Sequence, residues 1–255
     1  MVSREDGSGT RGAFIELMKI EQKESNGNRK DRTTKEALVV SKTDVVMTNI
    51  AGDRHAIGYI SLGSLNNSVK ALKVNGAEAN AENIKEGSYV LARPFNIATK
   101  GEPTALAADF INFILSKEGQ EVVAKSYVRV KDDAASYQSR NASGKIVIAG
   151  SSSVNPIMEK LVEAYVRINP QANIEIQSTD STSGINSVQE GTSHIAMTSR
   201  ALTSAEKESL EETTIALDGI VMVVNTENPL EDISTEEIQG IFMGKLTKWN
   251  QVINN

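Results

Sequence analysis

Lys145-Ile146-Val147-Ile148-Ala149-Gly150-Ser151-Ser152-Ser153-Val154-Asn155-Pro156 is the stretch that decides the fold. Its first half is an apolar run ending in glycine, which predicts a strand buried on both faces of a parallel sheet. Three serines make a polar turn, and Pro156 suits the first turn of a helix. Apolar residues then recur at helical spacing at Ile157, Met158, Leu161, Val162, Tyr165 and Val166. The unit repeats downstream. Residues 173–177 read as a strand, Ser178-Thr179-Asp180-Ser181-Thr182-Ser183-Gly184 as a hydroxyl-rich loop, and 185–190 as a helix. Residues 194–200 form a third strand ending in Thr198 and Ser199. Strand, polar loop and helix in repetition predict an α/β fold with a parallel sheet. Sheets of this kind bind ligands outside the carboxyl ends of their strands.

The remainder of the chain has the same mixed character. Residues 12–24 predict an amphipathic helix, 25–32 a polar loop, and 33–50 a strand or short helix followed by a helix. Residues 56–60 and 69–74 read as strands, the second running into an Asn75-Gly76 turn. A short helix or turn opens at residues 82–84, and 89–98 is strand-like. Pro103 precedes a helical face at Leu106, Phe110, Ile111, Ile114 and Leu115, and 119–127 continue as a second short helix. Residues 131–144 lack periodicity and large apolar side chains, so they read as a linker. Residues 215–224 are a buried strand, and Ser234 or Thr235 caps a last helix.

Composition sets the outer bounds. At 255 residues the chain makes one large or two medium domains. A net charge of −6 argues against nucleic acid as a partner, although a local cluster of donors still suits a small anion. There are no cysteines, hence no disulfide framework, thiolate metal site or cysteine nucleophile. His55 and His194 stand in no metal-ligand spacing, so neither metal nor cofactor is expected. No apolar run reaches membrane-spanning length, and no signal-peptide pattern opens the chain.

Ser3-Arg4-Glu5-Asp6-Gly7-Ser8-Gly9-Thr10-Arg11 places a cation, hydroxyls and glycines ahead of a helical run at Phe14, Ile15, Leu17 and Met18. A helix N-terminus with free N–H groups and hydroxyls accepts a phosphate-like anion, with Arg4 as a charged donor fork and Asp6 holding that fork. The same residues also make an ordinary N-cap, Asp6 or Ser8 capping and the arginines solvated. Hydroxyls recur at 151–153, 178–183 and 198–199, all at strand ends. Four such loops and an arginine, with no histidine base nearby, suggest a cradle for a small oxyanion. A serine hydrolase is the rival reading. It lacks the Gly-x-Ser-x-Gly elbow, because residue 6 is aspartate.

Several stretches together resemble the periplasmic-type phosphate-binding protein of ABC phosphate importers. They are Ser3–Arg11, Ala56–Ile60, Arg93-Pro94-Phe95, Phe110–Gln120, Gly150–Pro156, Gly191–Arg200 and Ile241–Asn250. The resemblance covers nearly the whole chain, but the order differs. In the family the Gly-Ser-Ser strand comes first, and the Trp-Asn segment runs into the Arg-Glu-Asp-Gly-Ser-Gly-Thr motif. The order here implies a circular permutant, with 131–144 joining the family's original termini. The implied fold is α/β, a two-lobed periplasmic-binding-protein-like fold of type II with two hinge strands. One lobe is 1–88 plus 225–255, the other is 89–224, and the ligand is buried between them. The hinges fall near Val223–Asn225 and Tyr89–Phe95.

The resemblance implies high-affinity binding of inorganic phosphate and delivery to the membrane permease of an ABC importer. It implies a monomer outside the cytoplasm, periplasmic or lipid-anchored in the parent protein, that is not an enzyme. Sulfate or molybdate is the alternative anion, and a serine-dependent phosphoester hydrolase the alternative activity. The implied phosphate ligands are Arg4, Ser8, Gly9 and Thr10 from one lobe. From the other they are Ser152, Ser153, the Val154 N–H, Ser181 and Ser199. Asp6 buttresses Arg4, Asp180 is a second nearby acceptor, and Arg11 stands behind the ligand or in solvent. Well-known members carry an aspartate where Ser199 stands, so a phosphate-over-sulfate filter passes to a carboxylate, with Asp6 the candidate. His194 is expected at the surface and Trp249 in the core.

Overall fold

The computed structural model describes residues 1–23 and 29–252, so residues 25–28 of the expected polar loop lie outside the described residues. The chain divides into two compact units. One comprises Met1–Asp6, Thr10–Ala92 and Gly219–Asn255; the other comprises Gly7–Gly9 and Arg93–Asp218.

In chain order the first elements are β1 (Val2–Arg4), α1 (Gly9–Leu17), β2 (Glu21–Lys23), β3 (Arg29–Asp31), β4 (Leu38–Val40) and α2 (Thr43–Gly52). They are followed by β5 (Ile57–Ser61), β6 (Lys70–Ala71), β7 (Lys73–Val74) and α3 (Ala81–Glu86). β1 pairs with β4 in parallel, with Arg4 opposite Val40. Behind β1, Phe14 stacks on Tyr59 with ring centroids 4.0 Å apart, and Phe242 meets Phe14 edge-on at 4.7 Å. Val2, Val46, Ile50, Ile60, Val221 and Val223 fill the adjoining core. Burying such side chains contributes about 1.5–3 kcal/mol each, and here it fixes the strand that carries Arg4.

The helix expected over 12–24 ends earlier. Lys19 takes φ of +53°. The Ile20 N–H turns back to the Ile15 carbonyl at 2.8 Å and the Lys19 N–H to Glu16 at 3.1 Å. This left-handed closure stops a helix whatever apolar residues follow. Ile20 is fully buried just past it, which is why the apolar period misleads.

The second unit holds β8 (Ala92–Thr99), α4 (Ala105–Ile114), α5 (Lys117–Val123), β9 (Gly144–Ser151), α6 (Asn155–Ile168), β10 (Ala172–Thr179) and α7 (Ser181–Gln189). β11 (Ile195–Thr198), α8 (Ser204–Lys207) and β12 (Glu211–Val224) follow. The chain then returns to the first unit with β13 (Asp232–Ile233) and α9 (Thr235–Phe242), capped by Ser234. Strands run in the order β10-β9-β11-β8-β12. The first three are parallel, as the strand–loop–helix repeat predicts, whereas β8 is antiparallel to β11. Alternation serves two layers. Ile195 and Met197 join Phe95, Phe110, Ile148, Leu161 and Tyr165 on one face. Ala196 joins Ala98, Ile185 and Val188 on the other.

The segment 131–143 has no helix or strand, yet it is strapped down rather than free. Tyr137 donates its hydroxyl to Asp109 Oδ2 at 2.6 Å, and Tyr165 donates to the same oxygen at 2.8 Å. The Tyr137 N–H reaches Glu118 at 2.6 Å and its ring meets Phe113 edge-on. That N–H holds the Glu118 carboxyl below its ordinary range. Burial, and then the bond to Asp109, push both tyrosine hydroxyls upward.

Trp249 is half-buried instead of in the core. Its indole N–H donates to the His55 carbonyl at 3.1 Å, beside a cavity of about 280 Å³ within the first unit. His194 is likewise half-buried, its Nδ1 accepting the Val147 N–H at 3.1 Å. No helix among the described residues is long and apolar enough to cross a membrane. Among those residues no cluster of three or more His, Asp or Glu side chains is placed to hold a metal.

Candidate functional site

In the second unit the hydroxyls converge because backbone approaches backbone. A Cβ on Gly150, whose φ is +137°, would lie 2.2 Å from the Met197 carbonyl oxygen. A Cβ on Gly184 of α7 would lie 2.5 Å from the Gly150 Cα. Only glycine permits either approach. The result brings the start of α7 against the turn that follows β9. Ser181, at the first position of α7, is fully buried, and its Oγ accepts the Ser199 N–H at 3.2 Å. Ser199, one residue past β11, exchanges a hydroxyl bond of 3.0 Å with Ser151. Ser153 is buried and Ser152 half-buried in the turn leading to α6.

The segment Gly7–Gly9 completes this cluster. The Gly7 carbonyl accepts the Thr182 N–H and hydroxyl, both at 3.2 Å. A Cβ on Gly9 would fall 2.3 Å from Ser181 Oγ and 2.8 Å from Ser199 Oγ. Bare backbone here lies on hydroxyls, with Ser8 itself 3% exposed. Helix α7 starts four residues earlier than the expected Ile185, because the Asp180 carboxylate accepts the Ser183 N–H at 2.9 Å and caps it. Asp180 therefore serves as an N-cap. Two helix N-termini and their hydroxyls form a neutral donor set suited to an anion.

The first unit carries the charge. Arg4, with a side chain 3% exposed, donates Nε and Nη2 to Glu5 at 2.9 and 2.8 Å. Nη1 reaches Thr43 Oγ1 at 3.2 Å, and Nη2 also reaches the Ser41 carbonyl. Thr10 is buried at 1%. Arg11 donates to Asp31 at 3.0 and 2.7 Å and to the Arg4 carbonyl at 2.8 Å, so it supports the motif from behind. Burial raises the Asp31 carboxyl, but the bonds from Thr33 and Arg11 outweigh it and leave it below its ordinary value. Burial pushes the Tyr59 hydroxyl up, keeping it neutral as the partner of Ser3 Oγ and the Arg4 N–H.

Two expectations are corrected here. Asp6 does not hold Arg4. Its side chain is 96% exposed and pairs with Arg11 at 2.7 Å, while Glu5 takes the Arg4 fork. The Val154 N–H is turned to the Ser151 carbonyl at 3.1 Å, closing the turn before α6, and its side chain is core.

A PBP superfamily domain model matches residues 1–118 and 135–255. Phosphate-binding protein PstS 2 of Streptococcus agalactiae serotype V is 50% identical over 254 residues, 99% of this chain and 87% of that one. PstS 2 of Streptococcus pneumoniae serotype 4 is 45% identical over the same shares. The chain belongs to the PstS family. A crystal structure of the phosphate-binding protein of a phosphate ABC transporter from S. pneumoniae TIGR4 matches with a TM-score of 0.77, covering 98% of each chain. The mixed α/β fold is thus that of the PBP superfamily, and these two PstS relatives bear names of binding rather than of a reaction.

Against that PstS background, the residues missed in the sequence were Ser151, Glu5, and the pair Arg93 and Asp218. Ser151, Glu5 and Arg93 stood inside the quoted motifs. The motif offers two adjacent carboxylates, and only the end of β1 at Arg4 shows that Glu5 rather than Asp6 meets the guanidinium. Arg93 and Asp218 are 125 residues apart and no local signal joins them.

Proposed function

We propose that this chain binds inorganic phosphate and delivers it to the membrane permease of an ABC importer, working outside the cytoplasm as a monomer. The observation that carries the reading is the buried hydroxyl cluster of Ser8, Ser151, Ser153, Ser181 and Ser199 at the start of α7 and the turn before α6. A dehydrated anion is stabilised by neutral N–H and O–H donors there without a fixed countercharge being desolvated. Proposed ligands are Arg4, Ser8, Gly9, Thr10, Ser152, Ser153, Ser181 and Ser199. The sequence has aspartate at residue 6 where a Gly-x-Ser-x-Gly elbow around Ser8 needs glycine, which favours binding over hydrolysis. In the same proposal the segment order, which the two PstS 2 relatives share over 99% of this chain, is permuted relative to the order in which the Gly-Ser-Ser strand comes first, with 131–144 as the join.

Isothermal titration with phosphate, followed by sulfate and molybdate, tests the reading. Saturable one-to-one phosphate binding is expected, with the other anions weaker. Absence of phosphate binding, or turnover of a generic phosphoester, would overturn it.

A further inference from the structure

Ser199 lies just past the last ladder position of β11, where Thr198 faces Asn96. Its carbonyl is met by a side chain. Arg93 Nη1 donates to Ser199 O at 3.3 Å. The Nε and Nη2 of the same guanidinium donate to Asp218 Oδ2 at 3.0 and 2.9 Å. Both side chains are buried, at 1% and 0% exposure, and the guanidinium carbon sits 5.2 Å from the Phe95 ring centroid.

Stability alone is a poor reason for this arrangement. Desolvation offsets the attraction of a buried ion pair, and apolar residues of similar volume commonly do as well or better. An apolar pair could not donate to the Ser199 carbonyl. We propose that Arg93 is a positioning residue for Ser199. Asp218 fixes the plane of the guanidinium, whose remaining arm fixes the carbonyl of Ser199. The Ser199 hydroxyl is then presented beside Ser151, and its N–H stays on Ser181. The inference rests on the phosphate reading for its affinity readout and on backbone exchange for a readout independent of it.

Two variants separate positioning from bulk stability. Asp218→Asn removes the charge partner but keeps the donor to Ser199. Its Tm should fall, and its phosphate Kd should weaken by less than that of the double variant described next, because the guanidinium still reaches the Ser199 carbonyl but is less firmly held in plane. Arg93→Met/Asp218→Leu removes both charges and the donor. Its Tm should stay near wild type, its phosphate Kd should weaken about ten- to a hundredfold, and the Ser199 amide should exchange faster than the amides of β9. A folded double variant with wild-type Kd and wild-type exchange at Ser199 overturns the proposal. Should the double variant not fold, Arg93→Lys takes its place. It keeps a charge for Asp218 and loses the planar fork, so the same loss of affinity is expected, and wild-type affinity again overturns the proposal. A wild-type protein that does not bind phosphate sinks the phosphate reading alone. Exchange at the Ser199 amide then still decides the role of Arg93.

Discussion

The Arg4 guanidinium is buried against Glu5, Thr43 and the Ser41 carbonyl, and this local set decides which neighbour matters. Arg4→Ala should weaken phosphate binding by about two orders of magnitude, since truncating a buried charged donor costs about 2–5 kcal/mol. Titration showing only a few-fold change would remove Arg4 from the ligand set. Glu5→Gln should weaken binding by roughly tenfold, because the fork loses its charged anchor. Asp6→Asn should change affinity by less than about twofold, as exposed pairs contribute little. It should also leave the phosphate-to-sulfate ratio unchanged. A shift of that ratio in Asp6→Asn would restore the aspartate filter that the motif first suggested. The motif itself was legible from its hydroxyls and glycines, whereas the choice between adjacent carboxylates depended on where β1 stops.

Short helices in this protein are held by their ends. Thr203 and Glu206 form a reciprocal capping box on α8, and Arg200 grips both Glu206 oxygens at 2.8 Å. Burial raises the Glu206 carboxyl, but the bonds from Arg200 and Thr203 outweigh it and leave it below its ordinary 4.5. A depressed folded-state value means the contribution is present above the unfolded value and is lost as pH falls through the folded one. Thermal stability should therefore drop on acidification below about pH 4.5, and Glu206→Gln should flatten that part of the Tm–pH curve. An unchanged slope would show that other carboxylates carry it. The strap at Tyr137 makes a second case. Tyr137→Phe leaves buried Asp109 with Tyr165 and should cost about 1–3 kcal/mol in denaturant unfolding. Element type was readable wherever periodicity was long, as in α4 and α6. Ends set by a cap at Asp180 or a left-handed Lys19 were not, because one hydrogen bond or one dihedral decides them.

Taken together, binding should appear in the stability of the entire protein. At a phosphate concentration of a hundred times Kd, linkage adds about 2.7 kcal/mol, which scanning calorimetry should register as a rise in Tm. No shift with phosphate would contradict binding to the folded chain. Limited proteolysis should cut at exposed Arg140 or Asn141 before the strapped stretch around Tyr137, and nicked protein should still bind phosphate. The α/β class and the hydroxyl loops could be read from strand and turn chemistry. Contacts such as Arg93 with Asp218 could not, since only the folded chain brings them together. The glycine contact of Gly150 and Gly184 also limits how such a protein could be re-engineered. Behind the serines stands main chain packed on main chain, with no side chain to trim and no space to retreat into. A directed-evolution campaign toward a bulkier anion must find its volume by shortening hydroxyl side chains, and each step then discards a donor. Under the phosphate reading, room for a larger ligand and grip on its charge are therefore opposed from the first mutation.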